Sequence, residues 1–250
     1  MISLAGKRLL ITGGSRGIGA ATALLCARAG ADVGITYHTR RSDAEAVARS
    51  IRAQGRRVFV GGGDLGDPNR VSQLFAEVKA AFGGLDGFVA NHGVWPAAET
   101  PLASLAPERW RETLRTNLDA VFFSTRAALG LLAGDGRVVL VGSTAGQRGE
   151  AFHADYAASK GAIISLVKSL AIECAPNVTV NCVAPGWVDT EMSAQPYAGE
   201  GRARIAASIP MRRIATAEDI AGPILFLLSD LACHITGEVL NVNGGSVLCG

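Results

Sequence analysis

Seven short apolar runs recur along the chain: RLLIT, DVGIT, RVFVG, DGFVAN, RVVLVG, VTVNCVA and EVLNVN. Between them lie longer stretches with the 3.6-residue periodicity of helices, at residues 17–29, 43–54, 68–82, 107–132, 155–175 and 217–229. Strand and helix alternate until the last run. That rhythm predicts an α/β fold: a single-domain, doubly wound Rossmann fold with a seven-stranded parallel sheet, helices on both faces and right-handed crossovers. One stretch breaks the rhythm. Residues 185–216 open with PGWVDTEMSAQPYAGEG and carry room for one short helix near 201–208. A long irregular insertion in a compact domain is usually a binding loop, so this segment is expected to act as a substrate lid.

Size and charge narrow the classes. The chain has 250 residues, 48% of them hydrophobic, and can bury a substantial core as one domain spanning 1–250. Its net charge is +2 with arginines scattered, which gives no footprint for nucleic acid or a membrane surface. No apolar run approaches the ~20 residues of a membrane span. The N-terminus reaches Lys7 and Arg8 and then a strand, without a signal-like apolar region, and a cytoplasmic protein is expected. Cys26, Cys174, Cys182, Cys233 and Cys249 form no C-x-x-C and no His/Cys cluster, so they read as buried, reduced thiols with no metal site.

Two constellations carry chemistry. In KRLLITGGSRGIGAATALLCARAG a strand passes through Gly13, Gly17 and Gly19 into an alanine-rich helix. Glycines permit a tight turn and close backbone approach, and a helix N-terminus offers unpaired N–H groups to a pyrophosphate. Downstream, Tyr156 and Lys160 stand four residues apart in a helical stretch, which sets both on one face. A phenol titrates near ~10 in isolation. A neighbouring ammonium favours phenolate and is expected to bring the phenol toward working pH. Ser143 ends the fifth apolar run, at the sheet edge where open α/β sheets bind ligands.

With TGGSRGIG (12–19), Asp64-Leu65, Asn91-His92-Gly93, Asn117, Ser143, Tyr156-x-x-x-Lys160, PGWVDT (185–190) and TGEVLNVNGG in order, the chain resembles the short-chain dehydrogenase/reductase family over essentially its whole length. Within that family it is most similar to 3-oxoacyl-carrier-protein reductases. The resemblance implies hydride exchange between a nicotinamide and a ketone or secondary alcohol. Tyr156 would be the acid or base, Ser143 would hold the carbonyl oxygen, and Lys160 would bind the nicotinamide ribose and stabilise phenolate. Asn117 would shape a helix kink and position a water linked to the lysine. The coenzyme would follow Gly13, Ser15, Arg16, Gly17, Ile18 and Gly19, then Asp64 and Leu65 at the adenine. It would continue along Asn91 and Gly93 to Tyr156 and Lys160, with Pro185, Gly186, Val188 and Thr190 beside the carboxamide.

The coenzyme choice can be read from the second strand. An NAD site places an acid about 20 residues beyond the glycine turn. Here Tyr37 stands at that position, followed by His38, Arg40 and Arg41, and Arg16 lies inside the turn. Guanidinium suits a 2′-phosphate, so NADP(H) is expected. Arg40 and Arg41 can equally be solvated loop charges.

Departures from the family pattern bear on the substrate. Ala90 and His92 replace the usual Asn and Ala of the fourth-strand motif. His92 either tunes the coenzyme pocket or packs as a satisfied histidine. The carrier-protein reductases recognise an acidic carrier with arginines at the entrance, whereas LLAGDGR and IECAPN lack a basic cluster. Rim charge governs encounter and specificity, so acyl carrier protein is a weakly supported partner. Trp95, Phe152, His153 and Trp187, with Tyr197, lie in segments that surround the family's substrate pocket, and His153 can also be a loop-surface residue. Three functions remain: an NADPH-dependent reductase of a free ketone, an oxoacyl-carrier-protein reductase, and a noncatalytic NADP-binding regulator. The complete Asn117/Ser143/Tyr156/Lys160 set argues against the last. The resemblance also implies a homotetramer built on the 107–132 and 155–175 helices, which are rich in Ala, Leu, Val and Phe.

Overall fold

In the computed structural model, which describes residues 2–249, one parallel sheet organises the chain. Its strands are β1 (Arg8–Ile11), β2 (Asp32–Tyr37), β3 (Val58–Gly62), β4 (Leu85–Ala90), β5 (Leu132–Val141), β6 (Val178–Pro185) and β7 (Val239–Val242). They lie in the order β3-β2-β1-β4-β5-β6-β7, every neighbouring pair parallel. The chain winds outward from β1 to β3, then crosses back to β4 on the other side of β1. That crossover opens a crevice at the carboxyl ends of β1 and β4, where ligands of such sheets sit.

Helices cover both faces because both faces are apolar. On one face Leu9, Ile11, Val33 and Ile35 pack with α1 (Gly17–Arg28), α2 (Arg41–Ala53) and α9 (Ala217–Leu228). On the other, Leu10, Phe88, Val138 and Leu140 pack with α3 (Pro68–Phe82), α5 (Ala120–Leu129) and α7 (Ala154–Glu173). Full burial of side chains such as Leu10 and Phe88 contributes about 1.5–3 kcal/mol each. α9 starts on a capping box: Thr216 Oγ1 accepts from the Asp219 N–H, and the Asp219 carboxylate accepts from the Thr216 N–H.

Two expectations need correction. The helix read across 107–132 is interrupted and shorter. It comprises α4 (Pro107–Leu114), a π-helical turn at Arg115–Asp119, and α5, after which Leu132 already belongs to β5. The π turn inserts one extra residue, and the fully buried Asn117 lies within it. The fifth strand also begins earlier than the run RVVLVG: Leu132 pairs with Leu85 before the register shifts, with Asp135 at a positive φ of 66°. The second correction is an addition. Thr144–Arg148 forms α6, too short for any periodic signal and capped by the Ser143 hydroxyl, which accepts from the Ala145 N–H at 3.1 Å. The irregular 185–216 segment does hold its short helix, α8 (Gly201–Ser208).

Candidate active site

The turn after β1 is built on close backbone approach. Gly13 has φ +64°, and a Cβ at Gly19 would lie 2.2 Å from the Gly13 carbonyl oxygen. The turn after β4 locks onto it: Asn91 Nδ2 donates to the carbonyl oxygens of Thr12 and Gly13, both at 3.2 Å. Thr12 Oγ1 also accepts from the Asn91 N–H and lies 2.7 Å from His92 Nδ1. Burial, reinforced by the positive charge of Lys160, pushes His92 down to about 3, so it is neutral. Its Nε2 has no partner among the described residues.

Above these turns lies a cavity of about 520 Å³. Its wall carries Gly13, Ser15, Arg16, Gly17 and Ile18 at one end, with Tyr37, His38 and Arg40 beside them. It continues past Asp64, Leu65, Asn91 and Gly93 to Ser143, Tyr156 and Lys160, and is roofed by Pro185, Gly186, Val188 and Thr190. Among the described residues no side chain caps the N-terminus of α1, so its first N–H groups are available to a ligand in this wall. A long ligand with a central pyrophosphate fits this donor set, and the volume is typical of a cofactor site. Burial opposes ionisation of Asp64, but the Arg115 guanidinium at 2.7 Å overcomes it and holds the carboxyl below its usual range.

The reactive end is dry. Tyr156 and Lys160 project from α7, and α6 approaches that helix closely through Gly146. A Cβ there would sit 2.5 Å from the Lys160 carbonyl carbon. This approach brings the Ser143 hydroxyl to the same cavity wall as the Tyr156 phenol. Asn117 pins the loop after β4 from both sides, accepting from the Val94 N–H at 2.8 Å and donating to the Val94 carbonyl at 2.9 Å. Asp155, fully buried, accepts from Arg109 at 3.0 Å and Thr113 at 2.9 Å, which fixes the first turn of α7.

The electrostatics differ from the sequence expectation. Burial pushes the Tyr156 phenol up, and the Ser143 hydroxyl offsets only part of that. Burial also pushes Lys160 down to about 8. Its ammonium donates to the Val141 carbonyl at 2.9 Å and stands 5.9 Å from the centre of the Tyr156 ring. A desolvated cation directed at a carbonyl is a weaker activator than the four-residue spacing implies, so desolvation wins.

An aromatic partition closes this end. Trp95 stacks on His153 at 4.0 Å, meets Tyr156 edge-on at 4.6 Å and lies 6.3 Å from Trp187. Trp187 leans on Tyr197, whose hydroxyl donates to the Val188 carbonyl at 2.9 Å. Trp95, Glu150 and Trp187 line both the main cavity and a second one of about 230 Å³, which His153 also borders.

A family sequence model described as Enoyl-(Acyl carrier protein) reductase matches residues 13–246. The chain is 37% identical over 243 residues to 3-oxoacyl-(acyl-carrier-protein) reductase FabG of Escherichia coli (strain K12), covering 96% of this chain and 97% of that one. A short-chain dehydrogenase from Burkholderia cenocepacia J2315, solved in complex with NADP, superposes with a TM-score of 0.91 at 38% identity, over 97% of this chain and 98% of the other. A blue fluorescent protein from a metagenomic library, solved with NADPH, gives 0.92 at 33% identity over 98% and 100%. The chain belongs to the short-chain dehydrogenase/reductase family. As such it is an oxidoreductase acting on CH–OH/C=O groups.

Not every residue singled out in the sequence reaches the walls of this dehydrogenase/reductase cavity. Arg41 opens α2, is exposed and does not line it. Phe152, 51% exposed at φ +64°, lines neither cavity. Gly19 and Asn117 shape the walls from behind. The cysteines also divide: Cys26 and Cys182 are buried, whereas Cys233 and Cys249 are exposed. Sequence reasoning missed Arg148, Glu150 and Glu191, which all line the main cavity. For Glu191 a signal existed, since it directly follows PGWVDT. Among the described residues no helix is long and apolar enough to cross a membrane.

Proposed function

We propose that the protein is an NADPH-dependent reductase of a free, largely apolar ketone, with Tyr156 as the proton donor. The observation that carries this reading is the meeting of Ser143, Tyr156 and Lys160 with the glycine turn along one cavity wall. NADPH, when bound, supplies the hydride. Gly13, Ser15, Gly17 and Ile18 would hold its pyrophosphate, Arg16 and Arg40 its 2′-phosphate, and Lys160 its nicotinamide ribose. Ser143 Oγ accepts from the Ala145 N–H, which leaves its single hydroxyl proton to be donated, and a ketone oxygen beside Tyr156 would take it. The Tyr156 hydroxyl gives its proton to that oxygen as the new C–H bond forms, leaving a phenolate for Lys160 to offset. The raised phenol suits this direction, because the acid stays protonated at neutral pH.

The free-ketone reading draws on the entrance. Trp95 and Trp187 offer apolar faces beside Tyr156. Arg148 is matched by Glu150 at 2.7 Å and Arg202 by Asp189 at 2.6 Å, and Glu99 and Glu150 line the second cavity. An acidic carrier would meet two arginines already paired and two carboxylates, with Arg204 as the unpaired cation of the second cavity among the described residues. The second reading, reduction of 3-oxoacyl groups on acyl carrier protein, is favoured by the FabG relative over nearly the whole chain. NADPH oxidation with a panel of aryl and cyclic ketones, beside acetoacetyl thioesters of carrier protein and of a short thiol, separates the two. Turnover of free ketones at least about tenfold more efficient than of carrier thioester is expected. The reverse order installs the second reading, and no turnover on any substrate sinks both.

We further propose a homotetramer formed through the outer sides of α5 and α7, where Phe122 and Ile172 are exposed. Light scattering of the purified chain tests it, and a monomeric mass at micromolar concentration overturns it.

A further inference from the structure

One carboxylate in the lid is already seated on the two arginines that face the mouth of the cavity. Glu191 Oε2 accepts from Arg16 and, at 3.3 Å, from Arg40. The three residues come from separate segments: the glycine turn after β1, the loop after β2, and the 3-10 turn Glu191–Ser193 that follows Thr190. All three line the main cavity, and their side chains are 48%, 52% and 59% exposed. The other lid carboxylate nearby, Asp189, is committed to Arg202 at 2.6 and 2.8 Å. Asp43 lies at 4.0 Å from Arg40, in the looser geometry of an i,i+3 pair.

Two guanidiniums converging on one oxygen form a site for a compact multivalent anion, and here the lid supplies the anion itself. We infer that Glu191 is a coenzyme-selectivity residue, competing with the coenzyme's 2′-phosphate for Arg16 and Arg40. This rests on the NADPH reading above. A phosphate monoester carries about −1.5 to −2 charges and three acceptor oxygens, against one charge on a carboxylate. It displaces Glu191 but must first break both ion pairs. NADH has nothing to place there, so Glu191 keeps its arginines and NADH binds as though the carboxylate were absent. Glu191 therefore weakens NADPH selectively. The same displacement detaches the lid turn from the β1 and β2 loops, which links the choice of coenzyme to the lid.

Fluorescence titration of the full-length protein and of Glu191→Gln tests this with NADPH against NADH, and with adenosine 2′,5′-bisphosphate against 5′-AMP. The substitution is expected to tighten NADPH and the bisphosphate by about 2- to 30-fold, the span of two exposed ion pairs. NADH and 5′-AMP should stay within about 2-fold. Equal tightening of both members of each pair reduces Glu191 to a long-range charge and overturns the inference. So does unchanged or weakened NADPH binding, the latter because it makes Glu191 a residue that retains the bound coenzyme. If the unsubstituted protein has no preference for NADPH over NADH, the coenzyme reading falls and this inference with it. A preference left unaltered by Glu191→Gln sinks this inference alone.

Discussion

The two ends of the main cavity handle charge in opposite ways. At the reactive end Tyr156, Lys160 and Asn117 are at most 8% exposed, and ionisation is set by burial. At the other end Arg16, Arg40 and Glu191 are about half exposed, and their ion pairs are open to solvent. A desolvated group is held in one state because changing it costs several kcal/mol, whereas water and salt screen an exposed pair to at most about 1 kcal/mol. The first arrangement fits a proton donor that must keep its geometry. The second fits a handle that must let go of one anion to take another.

The sharpest way to break this contrast is at the phenol. Tyr156→Phe should lower ketone turnover by about 10²–10⁴-fold, the usual worth of a positioned general acid, with NADPH affinity nearly unchanged. Turnover within about tenfold of the parent, by single-turnover NADPH oxidation, would remove Tyr156 from the reaction. Its own titration adds a sign. With the phenol pushed up by burial, ketone reduction should stay flat through neutral pH and decline only in alkali, while alcohol oxidation climbs as phenolate forms.

Next in size is the support beneath it. Asp155→Asn keeps a polar side chain for Thr113 but leaves Arg109, 21% exposed, without its counter-charge. Breaking such a pair should destabilise the fold by about 3 kcal/mol in urea denaturation. A loss under about 1 kcal/mol would place this network with the screened pairs of the rim. Smaller still is the rim itself: Arg16→Ala should weaken NADPH by about tenfold and NADH by less than about twofold. Equal weakening would make Arg16 a structural part of the glycine turn.

The last effect is one of pH and concerns His92. Its folded-state value of about 3 lies below the ordinary 6.5, so below pH 6.5 the unfolded chain takes up a proton that the folded chain refuses. Folding stability is therefore lost as pH falls from 6.5 toward 3. The drop in melting temperature between pH 7 and pH 5 should be smaller in His92→Ala than in the parent. Equal drops would show that the imidazole is solvated and that the dry region stops short of the β4 turn.

Much of this architecture could be read from the chain. The apolar runs specified seven strands and their parallel pairing, since continuous burial of Leu9 to Ile11 or Val138 to Leu140 demands helices on both faces. Gly13 and Gly19 marked the turn because a Cβ cannot fit there, and the four-residue spacing of Tyr156 and Lys160 placed both on α7. Other features carried no local signature. The π turn at Asn117 looks helical in sequence, and α6 is too brief to show a period. Phe152 and Arg41 sit in the expected segments yet are exposed and line neither cavity, which tertiary placement and not local pattern decides.

The order of residues by itself determined which groups could do chemistry and which elements would carry them, because periodicity and glycine sterics act between near neighbours. Tertiary structure alone decided what those groups became. The raised phenol, the lysine turned to Val141, the neutral His92 and the meeting of Glu191 with Arg16 and Arg40 all depend on which distant segments exclude water or bring opposite charge. Solvation and Coulomb attraction act through space, and sequence distance says little about either.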